Sequence, residues 1–340
     1  MKNIRDLTLE QLEDIIRQTN EPVFRAKQIY EWLHKGADGF EEMTNVPKKL
    51  KETLAESYDA SLPKIIRKLV SKTDGTVKYV LSMTDGECIE TVLMQYKYGL
   101  SVCISSQVGC RMGCSFCAST LKGKTRDLTA GEMLGQVQTA MRDAGKRISH
   151  IVIMGIGEPF DNFDAVLSFL KIVTDEKGMN LSARNITIST CGLPGGIDKL
   201  TNEHLPVTLA ISLHAPNDDI RKSMMPAAKA ITIDTLLCDA DRYAKTTGRR
   251  YTLEYALVKG VNDSKEHAIE LSRRIKGRLC HVNLIPVNPV KETGLIAPDQ
   301  NHEKLFYTTL KELGIAVTVR RELGRDISAS CGQLRNEVIS

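Results

Sequence analysis

Apolar positions recur along this chain at two different periods, and the change of period divides it. In residues 1–60 the spacing is helical. LTLEQLEDII carries it, and so does VFRAKQIYEWLHKG, where Ala26, Tyr30 and Leu33 share one face and Gly36 supplies the stop. A small helical domain is predicted, with the single tryptophan, Trp32, packed in its core. Over residues 61–100 the period shortens. YVLSM and CIETVLMQ read as strands on either side of Asp85-Gly86, a dipeptide suited to the tight turn of a β-hairpin.

From residue 100 onward strand-like and helix-like stretches alternate. Strands are predicted at 100–105, 150–156, 183–190, 207–213, 251–258 and 281–288. Helices are predicted after Thr129 and at 161–173, 232–247, 264–275 and 301–313. The first of these opens on Thr129 and Glu132, spaced as a capping box. A last strand, IAVTVRREL, precedes a polar tail. Six successive βα units imply a parallel α/β sheet with right-handed crossovers, either open and doubly wound or closed into a full or partial barrel. The expected organisation is therefore a helical domain (1–60), a β-hairpin segment (61–100), the α/β unit (101–320) and a tail (321–340).

No segment approaches the ~18 consecutive apolar residues of a membrane span. The N-terminal MKNIRDLTLEQLEDII is charged throughout and holds no signal-peptide apolar core. A cytoplasmic location without membrane association is expected. Nine cysteines in a reducing compartment are not a disulfide framework, so metal binding, catalysis or burial must explain them. Net charge is only +4. Its distribution is uneven: residues 1–60 carry an excess of acids, whereas residues 61–130 carry an excess of bases. Lys122, Lys124 and Arg126 lie in the basic segment. That excess suits an anionic partner such as nucleic acid, and equally a solvated basic face.

The strongest chemical signal is Cys110-Arg-Met-Gly-Cys114-Ser-Phe-Cys117, directly after a predicted strand. Thiolates this close repel unless a cation sits between them. A structural zinc site needs a fourth ligand, and no Cys or His follows nearby. Three thiolates leave a four-iron, four-sulfur cluster with one iron open to a substrate. Polar residues also gather at strand ends: Gly157 and Glu158 after the second strand, Ser189 in the third, Ser212 and His214 in the fourth, Asn288 in the sixth. In a parallel barrel these ends form one rim, where chemistry collects.

CxxxCxxC after the first strand of a βα array resembles the signature of radical S-adenosylmethionine (SAM) enzymes. CISSQVGCRMGCSFC, MGIGEP, ISTCG, ISLHAPND, NLIPVNP and ASCGQL, in this order, resemble the RlmN family of RNA adenine C2 methyltransferases over nearly the whole chain. The resemblance implies a partial (β/α)6 radical SAM barrel behind the helical domain, which it casts as an RNA binder. It implies a [4Fe-4S] cluster on Cys110, Cys114 and Cys117, and SAM, two per turnover, contacted by Gly157, Glu158, Ser189, Ser212, His214 and Asn288. The implied substrates are adenine 2503 of 23S rRNA, in the peptidyl transferase centre, and adenine 37 of tRNA. The implied electron donor is flavodoxin or ferredoxin, and a monomer is expected.

The resemblance also assigns a route. Cys331 is methylated by one SAM. A second SAM is split to a 5′-deoxyadenosyl radical, which takes hydrogen from the S-methyl group. The carbon radical adds to C2 of adenine and forms a covalent RNA–enzyme adduct. Glu90 accepts the C2 proton, and Cys103 attacks sulfur to release the product, with a disulfide bond among the implied features. Cys88, Cys191, Cys238 and Cys280 match no such role and are expected to be structural. Two other readings share parts of this pattern: a Cfr-type C8 adenine methyltransferase, and a non-enzymatic, metal-stapled RNA-binding protein.

Overall fold

The computed structural model describes residues 1–335, so the last five positions of the expected tail lie outside the described residues. Strand β1 (Lys2–Asn3), helices α1 (Leu9–Arg17), α2 (Phe24–His34) and α3 (Lys48–Ala55), and strand β2 (Tyr58–Asp59) form the N-terminal unit. β1 and β2 pair in parallel and bring its two ends together. Thr8 and Gln11 cap α1 reciprocally. Ala26, Tyr30 and Leu33 are buried as their spacing predicts, in a core with Leu12, Ile16 and Leu50. Trp32 departs from expectation. It is half-buried and packs at the margin of that core, because its indole N–H donates to Asn45 Oδ1 at 2.6 Å near solvent.

The chain then builds a ten-stranded sheet. Strands β3 (Lys64–Val70), β4 (Val77–Ser82), β5 (Cys88–Tyr96) and β6 (Gly99–Ile104) pair with one another antiparallel, in sequence order. Asp85 and Gly86 turn the chain between β4 and β5, with Gly86 at φ +88°. A separate two-stranded piece, β7 (Gln107–Gly109) with β8 (Lys124–Asp127), brackets the cysteine loop. Next come α4 (Ala130–Ala144), β9 (Ile148–Ile153), α5 (Phe163–Thr174), β10 (Ile186–Thr190), α6 (Gly196–Asn202), β11 (Thr208–Ser212), α7 (Asp218–Met224) and α8 (Ile233–Thr247). Strand β12 (Tyr251–Leu257), α9 (Lys265–Ile275), β13 (Cys280–Pro286), α10 (Gln300–Glu312) and β14 (Val317–Val319) complete the array.

The strand order is β14-β13-β12-β11-β10-β9-β6-β5-β4-β3. From β6 to β14 every pairing is parallel, as the alternation of elements predicts. β14 and β3 stand at opposite ends of the sheet, so it is open, in keeping with a partial barrel. It is also curved. One cavity touches residues at or just beyond the C-terminal ends of β9, β10, β11, β12, β13 and β14. Laid flat, six strands at about 4.8 Å spacing would separate the outer two by roughly 24 Å.

Several elements escape the period analysis, β3, α6 and α7 among them. β3 is an edge strand of sequence KIIRKLV, mostly exposed, so nothing forces apolar and polar residues to alternate. Helices α6 and α7 have seven residues each, too few for a period to register. The tail, polar in sequence, is packed: Leu323, Ala329, Ser330, Gln333 and Leu334 are buried. Ser119 Oγ donates to the Leu334 carbonyl at 2.8 Å, and Ala118 N–H to the Gly332 carbonyl at 2.7 Å.

Arg5 ties the N-terminal unit to the sheet's first helix. It is 2 % exposed, and its guanidinium donates to Gln138 Oε1 on α4 at 2.7 Å and to the carbonyls of Ala60 at 2.6 Å, Ser61 at 3.1 Å and Ala37. Burial lowers its pKa to about 10. Arg5→Met should leave these buried acceptors unpaired and cost about 3 kcal/mol or more. Arg17→Ala, which removes exposed pairs with Glu13 and Asp14, should cost ~0.5 kcal/mol or less. Urea unfolding followed by circular dichroism checks both, and equal midpoints for the two variants would refute the anchoring role.

Candidate active site

The cysteine loop is held at both ends and from beneath. Cys110 N–H donates to the Gly123 carbonyl at 3.0 Å, where β7 meets β8. Gly109 lies at φ +74°, and a Cβ there would fall 1.9 Å from the Gly123 oxygen, so only glycine fits this crossing. Ser115 N–H donates to the Met224 carbonyl of α7 at 2.9 Å, and Cys117 N–H to the Cys114 carbonyl at 3.1 Å. Burial pushes the Cys110 thiol up to about 12 and the Cys114 and Cys117 thiols up as well, with neighbouring cysteines adding to the rise. Thiolates placed this close require a cation.

A cavity with about 960 Å³ of empty volume, open to solvent, lies above this loop. It brings together Cys110, Cys114, Cys117, Gly157, Glu158, Ser189, Ser212, His214, Asn288 and Cys331, ten residues that sequence reasoning had singled out. Gly157, at φ +112°, lets the chain pass Gln107 and Ser106, which a Cβ would meet at 2.7 Å. Glu158 is buried, and burial raises its pKa. Its carboxylate accepts from Thr190 Oγ1 at 2.7 Å, Phe160 N–H at 3.0 Å and Cys191 N–H at 2.8 Å. The group therefore also fixes the loop after β10. The Ser189 and Ser212 hydroxyls stand 3.4 Å apart on adjacent strands.

His214 lies just past β11 at φ +57°. Its Nδ1 accepts from Ala256 N–H at 2.9 Å, which leaves the proton on Nε2. Burial, aided by Arg221, drops its pKa to about 3, so the ring is neutral. Asn288 donates from Nδ2 to the Cys331 carbonyl at 3.0 Å, while its Oδ1 is buried without a partner. An orphaned acceptor on the cavity wall suits a ligand with N–H or O–H groups.

Two predicted residues stand outside the cavity lining. Cys103, 9 % exposed, sits on β6 opposite Val92 of β5 and Val152 of β9. Burial pushes its thiol up to about 12, with Cys331 adding to the rise and Arg320 opposing it. Glu90, on β5, is buried in an ion pair with Lys78 at 2.9 Å and accepts the Arg335 backbone N–H at 2.8 Å. The implied disulfide is not present: all nine cysteines are free, and Cys103 lies in the sheet as an un-ionised buried thiol.

The cavity also contains residues that the sequence did not flag. Cys191, expected to be merely structural, lines it, as do Glu254 and Arg320. Glu254 Oε2 accepts from Asn283 Nδ2 at 2.9 Å and lies 3.7 Å from Arg320 Nη1. Glu254 sits in mid-strand and Arg320 beyond the last strand, where no local pattern marks them. Cys238 is exposed and packs in no core. Of the basic residues after the cysteines, Lys124 pairs with Asp127 and Asp161, and Arg126 with Asp85 and Glu132. Their charge is largely spent inside the fold.

The donor set suits an iron–sulfur cluster, which takes one thiolate on each of three irons. Among the described residues no group of three or more His, Cys, Asp or Glu converges on a point that could hold a single metal ion. No helix among them is long and apolar enough to cross a membrane.

Known proteins share this arrangement. Residues 2–59 match the ribosomal RNA large subunit methyltransferase N-terminal domain, and residues 104–272 match the radical SAM superfamily. A probable dual-specificity RNA methyltransferase RlmN from Clostridium novyi is 49% identical over 340 residues, covering 100% of this chain and 99% of its own. A protein of the same description from Alkaliphilus oremlandii is 51% identical, covering 98% of each chain. The crystal structure of a radical SAM methyltransferase from Sphaerobacter thermophilus superposes with a TM-score of 0.95 at 45% identity, covering 99% of this chain and 100% of that one. With the cysteine loop, the cavity and the tail all inside these full-length matches, the chain belongs to the RlmN family of radical SAM RNA methyltransferases.

Proposed function

We propose that this chain transfers a methyl group to C2 of adenine in 23S rRNA and in tRNA, by way of an S-methylated Cys331 and a covalent RNA–enzyme adduct. One observation carries the reading: Cys331, in the tail, lines the same cavity as Cys110, Cys114 and Cys117. Methyl carrier and radical source then share one space. The tail is secured there through the Asn288 contact to the Cys331 carbonyl and the Ala118 contact to Gly332.

Cys110, Cys114 and Cys117 would hold the [4Fe-4S] cluster. When bound, it supplies the electron that splits SAM reductively and so starts radical chemistry. Gly157 admits SAM close to the backbone. Glu158, Ser189 and Ser212 offer oxygens to its ammonium and ribose hydroxyls, and Asn288 Oδ1 gains the donor it lacks. His214, neutral with its proton on Nε2, donates one hydrogen bond. Two SAM molecules serve each turnover, one for Cys331 and one for the radical. Flavodoxin or ferredoxin delivers the electron, and the protein works as a cytoplasmic monomer whose residues 1–60 meet the RNA.

C2 of adenine is electron-poor and offers no nucleophile to a polar methyl donor, whereas a carbon radical can add there. Glu90 then takes the C2 proton, and the adduct radical gives up one electron, which the oxidised cluster would take back, so that the ring is restored. Its raised pKa, caused by burial and opposed by Lys78, suits a carboxylate that must hold a proton briefly. Cys103 attacks the Cys331 sulfur, a Cys103–Cys331 disulfide forms as the carbon–sulfur bond breaks, and the departing carbon takes up a proton to become the methyl group of the product. Its attack requires the thiolate, and Arg320, whose charge acts on both sulfurs, favours that form.

Three experiments test this reading. Cys114→Ala should lower iron from about four per chain to almost none after anaerobic reconstitution, and should abolish SAM cleavage. Full iron with intact cleavage would remove the metal assignment. Cys103→Ala should bind cluster and SAM, acquire a methyl group on Cys331, and stall as a protein–RNA adduct that survives a denaturing gel and shrinks under ribonuclease. The double variant Cys103→Ala, Cys331→Ala should form none. Free methylated RNA from Cys103→Ala at the wild-type rate would return Cys103 to a packing role. Methyl groups mapped to C8 in the RNA product would replace the C2 assignment.

A further inference from the structure

Arg221, on α7, is fully buried. Its Nη2 donates to the Cys191 carbonyl at 2.6 Å and to the Ser212 carbonyl at 3.4 Å. Its Nε and Nη1 are buried and have no hydrogen-bond partner. The carboxylate whose charge reaches it is Asp218, on the same helix, and that side chain is engaged with the Ile233 N–H at 2.8 Å. A guanidinium placed this way is costly, because it has lost water without gaining an anion or filling its donors. Something the protein binds must offset the cost.

The surroundings indicate what that is. α7 and the turn after it form the floor of the cysteine loop: Met224 accepts from Ser115 N–H, and a Cβ on Gly113 would meet Pro226 Cγ at 3.2 Å. Cys191, whose carbonyl the guanidinium holds, packs in one cluster with Cys110, Met112 and Met224, and Cys114 packs against that cluster. Among the described residues that line the cavity, the one Lys or Arg is Arg320, beyond β14, and Arg221 lies behind the wall. Three thiolates outweigh the charge of an oxidised four-iron core by one, and reduction adds a further negative charge.

We infer that Arg221 is the buried counter-charge of the cysteine loop and stabilises the reduced, more negative form of the cluster. The inference rests on the cluster reading above. Charge and hydrogen bonding around the sulfurs are general determinants of cluster potential. An electron that enters the cluster would therefore meet a fixed positive charge already in place, with no reorganisation of water. Arg221 is a positioning residue in this sense, since it touches neither RNA nor the reacting carbon.

The test uses two variants of the full chain, reconstituted anaerobically and titrated electrochemically, with the reduced cluster followed by electron paramagnetic resonance. Arg221→Met keeps the length and removes the charge. Arg221→Lys keeps the charge and loses the planar fork. At the wild-type midpoint the ratio of reduced to oxidised cluster should fall about tenfold or more in Arg221→Met, equivalent to ~59 mV for one electron, and stay within about threefold in Arg221→Lys. Loss of iron from Arg221→Met alone would support the same conclusion, since the charge would then be needed even to assemble the thiolates. A Met variant with full iron and an unchanged midpoint overturns the inference. Equal loss of iron from both variants also overturns it, by reducing the residue to its bonds with the Cys191 and Ser212 carbonyls. Failure of the cluster reading itself would look different, because wild-type protein would then take up no four-iron cluster.

Discussion

Three thiols within eight residues of one loop cannot ionise together unless a cation lies among them, and the rest of the molecule is arranged around that constraint. The loop has no regular structure of its own to hold it. Its ends are pinned where β7 crosses β8 at Gly109 and Gly123. Its middle rests on the end of α7, through Ser115 and Met224. Every one of these supports comes from a different element, so the loop's geometry is a property of the assembled fold.

Curvature of the sheet follows the same logic. Parallel strands bring their C-terminal ends to one side, and the bend converts that edge into the wall of a single cavity. Polar groups on this wall do double duty. Glu158 faces the cavity and yet fixes the loop after β10 through Thr190 and Cys191. His214 faces it with one nitrogen committed to Ala256. A ligand placed here meets side chains whose rotamers are already determined by backbone contacts, which lowers the entropy lost on binding.

The tail links this cavity to the antiparallel half of the sheet. Gly332 accepts from the cysteine loop at Ala118, the Cys331 carbonyl accepts from Asn288, and Glu90 on β5 accepts from Arg335. Lys78 on β4 reaches both Glu90 and the Ser328 carbonyl. Strands that contribute nothing to the cavity lining therefore position the residue that does. RNA affinity is a separate matter: Lys124 and Arg126, the most suggestive bases in the sequence, are neutralised by acids of the fold, so the basic excess of that segment overstates the charge presented to phosphates.

Much of this was legible without coordinates. Helical and strand periods located the N-terminal helices, the hairpin at Asp85-Gly86 and the parallel array, because burial on one face imposes a repeat on any element long enough to show it. CxxxCxxC identified the metal chemistry, since the repulsion of close thiolates is a local fact. The order of strand-end motifs anticipated the cavity wall, because parallel topology sends all those ends to one side. Short α6 and α7, the edge strand β3 and the packed tail were not legible, for they answer to neighbours rather than to a repeat. Nor were Glu254, Arg320, Cys191 and Arg221. The sequence by itself determined which residue types were present and which elements they would form. Only the tertiary structure decided that Cys331, some two hundred residues beyond the cysteine loop, would share its cavity, that the bases after the loop would be spent on internal acids, and that a guanidinium with two unpartnered donors would be buried on α7 behind Cys191. Long-range juxtaposition depends on the curvature of the whole sheet, and no stretch of sequence encodes it locally.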